Sequence, residues 1–324
     1  MSNLKDIAIL VPGKLNPHAK QRVSQTFSMV EIAGSDPALI TPEMAMRIRG
    51  IASMTMIPAA LMDKLQRLEI VANFGVGYDA IDAAHAGKIG AMVTNTPDVL
   101  TEEVADTTLG LLLNTLREFS AAERYLREGR WANEGNYRLT PLTLRDRKVG
   151  IFGMGRIGQA IAKRLEAFGV SIAYHNRRPA DGLAYEYHST LMSLASAVDT
   201  LIVVVPGGES TRDAVNANVL KALGSNGVLI NIGRGSTVDE EAVAAALKDG
   251  TIAAAGLDVF KNEPHVPQSL LDAPNCVLLP HLGSASEHTR MAMANLCVDN
   301  LVSWFSGNGA ITPVPETIQH QRKN

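Results

Sequence analysis

Residues 148–178, KVGIFGMGRIGQAIAKRLEAFGVSIAYHNRR, constrain the fold more than any other part of the chain. The apolar run at 149–152 is too brief for a helix and fits a buried strand. Gly153-Met154-Gly155-Arg156-Ile157-Gly158 follows. In such a turn the first glycine lets the chain reverse, the second lets backbone approach a pyrophosphate, and the third lets a helix lie close to a strand. Ile157, Ile161, Leu165 and Phe168 recur at spacings of four, four and three, which predicts one apolar helix face. The helix N-terminus offers unpaired N–H groups and the positive end of its dipole to a phosphate. Gly169 is expected to end the helix, and residues 170–174 to form the second strand. Strand, turn, helix and strand within about 30 residues specify a dinucleotide-binding unit.

The residue closing that second strand selects the dinucleotide. NAD sites place Asp or Glu there to accept hydrogen bonds from the ribose hydroxyls. This chain has Asn176 followed by Arg177 and Arg178, two guanidiniums suited to a 2′-phosphate. NADPH/NADP is therefore the expected cofactor, with NADH/NAD as a secondary pair.

A chain of 324 residues accommodates two domains, each with its own core. With 46% hydrophobic and 19% charged residues, the composition is that of an ordinary globular protein. A net charge of −3 gives no general attraction for nucleic acid or an anionic membrane, so neither is an expected partner. The start, MSNLKDIAILVPG, has no signal-like apolar stretch, and no apolar span of membrane length follows, so a cytoplasmic protein is expected. Cys276 and Cys297 lack metal or disulfide spacing and lie in apolar runs, so they are expected to be buried, inert thiols, and no metal is expected.

Apolar runs at 7–11, 29–33, 48–52, 68–73 and 91–94 alternate with helical or turn-rich pieces, predicting a smaller α/β domain with a parallel sheet. After its fourth strand comes Phe74-Gly75-Val76-Gly77-Tyr78-Asp79. Glycines there suit either backbone N–H groups facing an anion or a plain tight turn. Residues 101–119 predict a long helix with an acidic first turn. Residues 125–143, holding Trp131 and Tyr137, read as an extended polar arm of the kind that packs on a partner subunit. Strands are then expected at 200–205, 228–232, 255–260 and 276–279, with capping boxes at Thr237/Glu240 and Ser284/Glu287 starting two helices. Gly250 is expected to close the first of these helices. The expected architecture is α/β, with two Rossmann-like doubly wound parallel-sheet domains and an active-site cleft between them. Residues 98–285 form the dinucleotide domain, inserted in a substrate domain of residues 1–97 and 286–324. The long helices after Thr101 and Ser284 would serve as hinges.

In open parallel sheets ligands bind beyond the carboxyl ends of strands, and Arg234, Glu263 and His281 all follow expected strands. Reducing a carbonyl needs an acid that titrates near neutrality, which histidine supplies. A carboxylate hydrogen-bonded to the imidazole would orient it and favour its charged form. An arginine can fork a substrate carboxylate and polarise the adjacent carbonyl.

Five motifs together resemble the D-isomer-specific 2-hydroxyacid dehydrogenases over nearly the whole chain: residues 74–79, 153–158, 231–235, 256–264 and 279–284. The resemblance is strongest to the NADPH-dependent glyoxylate/hydroxypyruvate reductase branch, which shares the run Asn95-Thr-Pro-Asp-Val-Leu-Thr101. It implies that Arg234 binds the substrate carboxylate and carbonyl, that Glu263 pairs with the imidazole, and that His281 donates the proton. It further implies that backbone at Val76 and Gly77 holds the carboxylate, that Ser53 and Met54 lie on a substrate-side loop, and that the protein is a homodimer through the arm. Beyond the glycine turn and Asn176 to Arg178, the cofactor site implied runs over Val205, Pro206, Thr211, Ile232, Gly233, Arg234, Asp258, His281, Gly283 and Ser284. Some members of the branch carry a second tryptophan shortly after the position of Trp131; Asn133-Glu134-Gly135 stands here instead, which bears on substrate preference. A phosphoglycerate or D-lactate dehydrogenase would share the three catalytic positions, although the first usually carries an acidic residue where Asn176 stands, and a hydroxyphenylpyruvate type is a further alternative. A co-repressor of the same fold that senses dinucleotide usually adds disordered tails, and this chain has almost none to spare.

Overall fold

In the computed structural model, which describes residues 3–321, the apolar runs of the sequence become two parallel sheets. The chain divides into two compact units, Met1–Leu100 with Ser286–Asn324, and Thr101–Ala285. Residues 1–2 and 322–324 of the expected substrate domain lie outside the described residues.

The first unit holds β1 (Ala8–Pro12), β2 (Ser28–Ile32), β3 (Ile48–Ser53), β4 (Ile70–Asn73) and β5 (Met92–Thr94) in the order β2-β1-β3-β4-β5. Its core gathers Leu10, Ile51, Val71 and Val93 from the strands with Leu61, Met62 and Ala86 from the helices, all fully or almost fully buried. The long helix Glu287–Phe305 belongs to this unit and buries Met293, Cys297, Leu301 and Trp304.

The second unit holds β6 (Lys148–Phe152), β7 (Ser171–His175), β8 (Glu186–His188), β9 (Thr200–Val203), β10 (Val228–Asn231), β11 (Ala254–Leu257) and β12 (Cys276–Leu278). Their order, β12-β11-β10-β9-β6-β7-β8, reverses between β6 and β9, so the crevice of a doubly wound sheet falls where the glycine turn leaves β6. Alternation along the strands explains why both faces are covered. Leu201, Val203, Leu229 and Leu257 pack into one core, while Ile202, Val228, Ile230 and Ala254 pack into another. Burying one such leucine or isoleucine contributes about 1.5–3 kcal/mol.

Several local expectations are corrected. The helix expected at 101–119 ends at Arg117: Glu118 turns to φ 55°, and the chain restarts as the helices Phe119–Arg127 and Arg130–Glu134. Side-chain hydrogen bonds hold this break. The Asn114 side chain accepts from Ser120 N–H (2.9 Å), and Glu118 accepts from Tyr137 Oη (2.8 Å) and Arg138 (2.7 Å). The first part of the arm is thus helical rather than extended. Both expected capping boxes are displaced by two residues: Asp239 caps Ala242 N–H and Ser286 caps Thr289 N–H. Thr237 instead donates to Arg234 O at 2.6 Å, and Ser284 is buried. Phe168 lies beyond the end of Arg156–Glu166 and is 47% exposed, whereas Ile161 and Leu165 are fully buried. The strands from residues 200, 255 and 276 stop two, three and one residues earlier than expected, at Val203, Leu257 and Leu278, because the chain leaves each sheet to form loops.

Candidate active site

The glycine turn has the form its spacing predicts. Gly153 sits at φ 109°, a conformation that favours glycine, and a Cβ there would stand 2.9 Å from Val205. A Cβ on Gly158 would stand 2.2 Å from Gly153 O, so the helix can lie this close to the turn only without one. Gly155 caps the helix Arg156–Glu166 without a side-chain bond, and nothing lies within 4 Å of where its Cβ would be. The face above the helix N-terminus is therefore open, and the site fits a pyrophosphate. The Met154 side chain is buried, and its N–H donates to Asn176 Oδ1 at 2.7 Å. That bond ties the turn to the loop after β7.

The same loop is anchored at both ends. Tyr187 Oη donates to Asn176 O (3.3 Å), and Ala180 N–H donates to Tyr174 Oη (3.0 Å). Between these anchors Arg177 and Arg178 are exposed, and neither has an ion pair or hydrogen bond with any described residue. They fit the 2′-phosphate of NADP. Opposite, Thr211 Oγ1 donates to Pro206 O (2.8 Å), closing the loop after β9, beside which Val205 is buried. A Cβ on Gly233 would stand 2.8 Å from Val205 O, so the loops after β9 and β10 also pack backbone to backbone.

Arg234, Glu263 and His281 are brought together. His281 Nδ1 lies 2.8 Å from Glu263 Oε2, and Phe260 N–H donates to Glu263 Oε1 at 3.0 Å. Burial pushes the Glu263 carboxyl up. The His281 hydrogen bond, the Phe260 N–H and the charges of His281 and Arg234 outweigh it, leaving Glu263 below the ordinary carboxylate value. With Nδ1 facing this carboxylate, Nε2 is directed away from it, on a side chain 46% exposed. Nε2 makes no hydrogen bond with any described residue.

Residues outside the expected catalytic three hold them in place. His281 takes the left-handed φ of 55°, held by N–H bonds to Asp258 O (2.9 Å) and Leu279 O (3.1 Å). The buried Asp258 carboxylate accepts from Leu282 N–H (2.6 Å) and Gly283 N–H (2.8 Å). Burial raises its pKa, and the two backbone bonds and His281 oppose the rise. Asn231 ends β10, accepts from Gly233 N–H (3.1 Å) and donates to Arg234 O (2.9 Å). Arg234 Nη1 donates to Gly233 O at 2.8 Å. A Cβ on Gly235 would stand 1.9 Å from the Phe260 carbonyl carbon, so the Arg234 and Glu263 loops touch through backbone. The sequence signal for Asn231 was a polar residue closing an apolar strand before a glycine. Asp258, which the resemblance places at the cofactor, also clamps the His281 loop.

In the other unit, Ser53 is buried and its hydroxyl engages Thr55, while Met54 is 44% exposed. Val76 and Gly77 are half-buried. On the arm, Trp131 is 58% exposed and donates to Asn136 (3.1 Å), and Tyr137 packs edge-on against Tyr125. Cys297 is buried and Cys276 nearly so, and burial pushes both thiols up to about 12. Among the described residues no helix is long and apolar enough to cross a membrane.

Residues 109–283 match the family described as D-isomer specific 2-hydroxyacid dehydrogenase, NAD binding domain. Among solved structures, the NADPH-dependent glyoxylate/hydroxypyruvate reductase of Sinorhizobium meliloti, in complex with NADP and malonate, is similar at 60% identity with a TM-score of 0.95. The match covers 98% of this chain and 99% of that one. A glyoxylate/hydroxypyruvate reductase of Arabidopsis thaliana is 49% identical over 79% of this chain and 81% of its own. The 2-ketogluconate reductase of Gluconobacter oxydans is 38% identical over 97% and 100%. With an open glycine turn at the switch point and a carboxylate-held histidine, and on these similarities, this chain belongs to the D-isomer specific 2-hydroxyacid dehydrogenase family.

Proposed function

We propose that the protein reduces glyoxylate and hydroxypyruvate to glycolate and D-glycerate with NADPH, NADH being the weaker donor. The observation that carries this reading is the Glu263–His281 pair, with Nε2 left open, in a chain 60% identical to an NADPH-dependent glyoxylate/hydroxypyruvate reductase. When bound, the reduced nicotinamide supplies the hydride to the carbonyl carbon. His281, protonated on both nitrogens, keeps Nδ1–H on Glu263 and gives the Nε2 proton to the carbonyl oxygen. The ionised Glu263 stabilises the imidazolium until that transfer and orients the ring. Arg234 draws negative charge toward itself as it builds on the oxygen, and its guanidinium suits the substrate carboxylate. Residues 101–285 are assigned the dinucleotide, and residues 1–100 with 286–324 the acid.

The reading extends to assembly and location. A homodimer through the arm is supported by Phe119, Leu126, Trp131 and Leu139, which are 52%, 53%, 58% and 94% exposed and would be covered by a second copy. Two unpaired cysteines support a reducing, cytoplasmic setting. The test is turnover of the purified protein with NADPH and, in turn, glyoxylate, hydroxypyruvate, hydroxyphenylpyruvate and 2-ketogluconate. Reduction of neither of the first two acids would overturn the assignment.

A further inference from the structure

We infer that Asn73 and Asn95 are positioning residues for the substrate carboxylate, acting through the backbone of Gly75, Val76 and Gly77. The inference rests on the functional reading above only in naming the anion as a 2-oxo acid. Asn73 is the last residue of β4 and is 5% exposed. Its Nδ2 donates to both Gly75 O (3.0 Å) and Gly77 O (2.9 Å), while Asn95 Nδ2 donates to Val76 O (2.8 Å). Thr96 N–H adds a second bond to Gly75 O at 2.9 Å.

Peptide planarity turns these carbonyl bonds into control of the N–H groups. In a trans peptide the C=O of one residue and the N–H of the next point in opposite directions. Fixing Gly75 O therefore aims Val76 N–H, and fixing Val76 O aims Gly77 N–H. Among the described residues, neither N–H has an acceptor. A loop with glycine at two of three positions would otherwise sample many orientations, and Gly75 already stands at φ 154°. Two asparagine amides pre-pay that ordering, so the donors are in place before the acid arrives.

The loop is closed on its far side as well. Tyr78 Oη donates to Glu316 (3.1 Å), which ties the segment to the turn Pro315–His320 of the same unit. All of these groups lie in one unit. Damage to them should therefore leave dinucleotide binding intact, which provides an internal control.

The experiment compares the parent with Asn73→Asp, which sets oxygens against the two carbonyls, and Asn95→Ala, which removes the third donor. Binding of oxamate and of its uncharged amide, oxamide, is measured by calorimetry with NADPH present, alongside kinetics with glyoxylate. Each variant should weaken oxamate roughly ten- to hundredfold and raise the KM for glyoxylate similarly, with kcat changed by less than about threefold. The dissociation constant for NADPH should stay near the parent's, as should the melting temperature of Asn95→Ala, and oxamide should lose far less than oxamate. Equal losses for oxamate and oxamide would show a merely structural role and overturn the inference, as would unchanged oxamate affinity in the variants or no oxamate binding in the parent. If Asn73→Asp fails to fold, Asn95→Ala decides alone. A parent that binds oxamate but does not reduce glyoxylate would remove the functional reading, while the binding comparison would still decide the role of the asparagines.

Discussion

Replacing Gly158 by alanine should test how the glycine turn works. The added Cβ would stand 2.2 Å from Gly153 O and 3.1 Å from Gly153 C. Ordinary contact begins near 3.4 Å, so backbone must separate by roughly 1 Å. Gly153 cannot easily give way, because its N–H is bound to His175 O at 3.0 Å and its φ is 109°. The helix Arg156–Glu166 must then move, at a cost of about 1–3 kcal/mol typical of overpacking. For a unit of this size that should lower the melting temperature by roughly 2–12 °C. The same movement takes the N-terminal N–H groups off the pyrophosphate. Losing two such charge-assisted bonds should weaken NADPH by roughly a hundredfold or more. Gly155→Ala separates the two effects. Its Cβ enters open space at a φ of −82°, so the melting temperature should change by only a few degrees, while NADPH binding should still fall because the methyl occupies the ligand's approach. The assays are a thermal melt of the apoprotein and a fluorescence titration with NADPH. A Gly158→Ala protein that melts and binds like the parent would refute the reasoning, and so would a Gly155→Ala apoprotein as unstable as Gly158→Ala.

Arg177→Ala combined with Arg178→Ala should raise the KM for NADPH roughly ten- to hundredfold and leave NADH nearly unchanged; equal losses on both would sink the 2′-phosphate assignment. For His281→Ala, kcat should fall roughly a hundred- to ten-thousandfold with NADPH affinity preserved, whereas Arg234→Ala should damage KM for glyoxylate as well as kcat. Near-parental turnover in His281→Ala would mean that another acid donates the proton. Because Glu263 sits below its ordinary value of 4.5 when folded, its contribution to stability is present above that value and is lost as the pH falls through the folded pKa. The difference in melting temperature between the parent and Glu263→Gln should accordingly be visible at neutral pH and close as the pH is lowered through the depressed folded pKa; a gap independent of pH would contradict the sign. In the same variant, reduction should suffer most on the alkaline side of the pH–rate profile, where a protonated imidazole most needs its carboxylate.

The sequence alone determined what is written in local spacing. The glycines of the turn were legible because a positive φ at Gly153 and a backbone contact at Gly158 are demands that only glycine meets. The strands were legible because apolar runs bounded by turn residues have few alternatives, and the positions of Arg234, Glu263 and His281 followed from where those strands end. Tertiary structure decided whatever depends on partners distant along the chain. Asn176 reads locally as a missing carboxylate, yet 22 residues separate it from Met154, whose N–H it holds. Asp258 reads as a strand-end acid, yet it clamps Leu282 across 24 residues and thereby helps set the left-handed turn at His281. The break at Glu118 and the true caps at Asp239 and Ser286 likewise went to the side chains that reached backbone N–H groups, while Thr237 was drawn to Arg234 O. Periodicity encodes which face is buried, but a hydrogen bond between loops carries no period, so its partners become known only when folding brings them within about 3 Å.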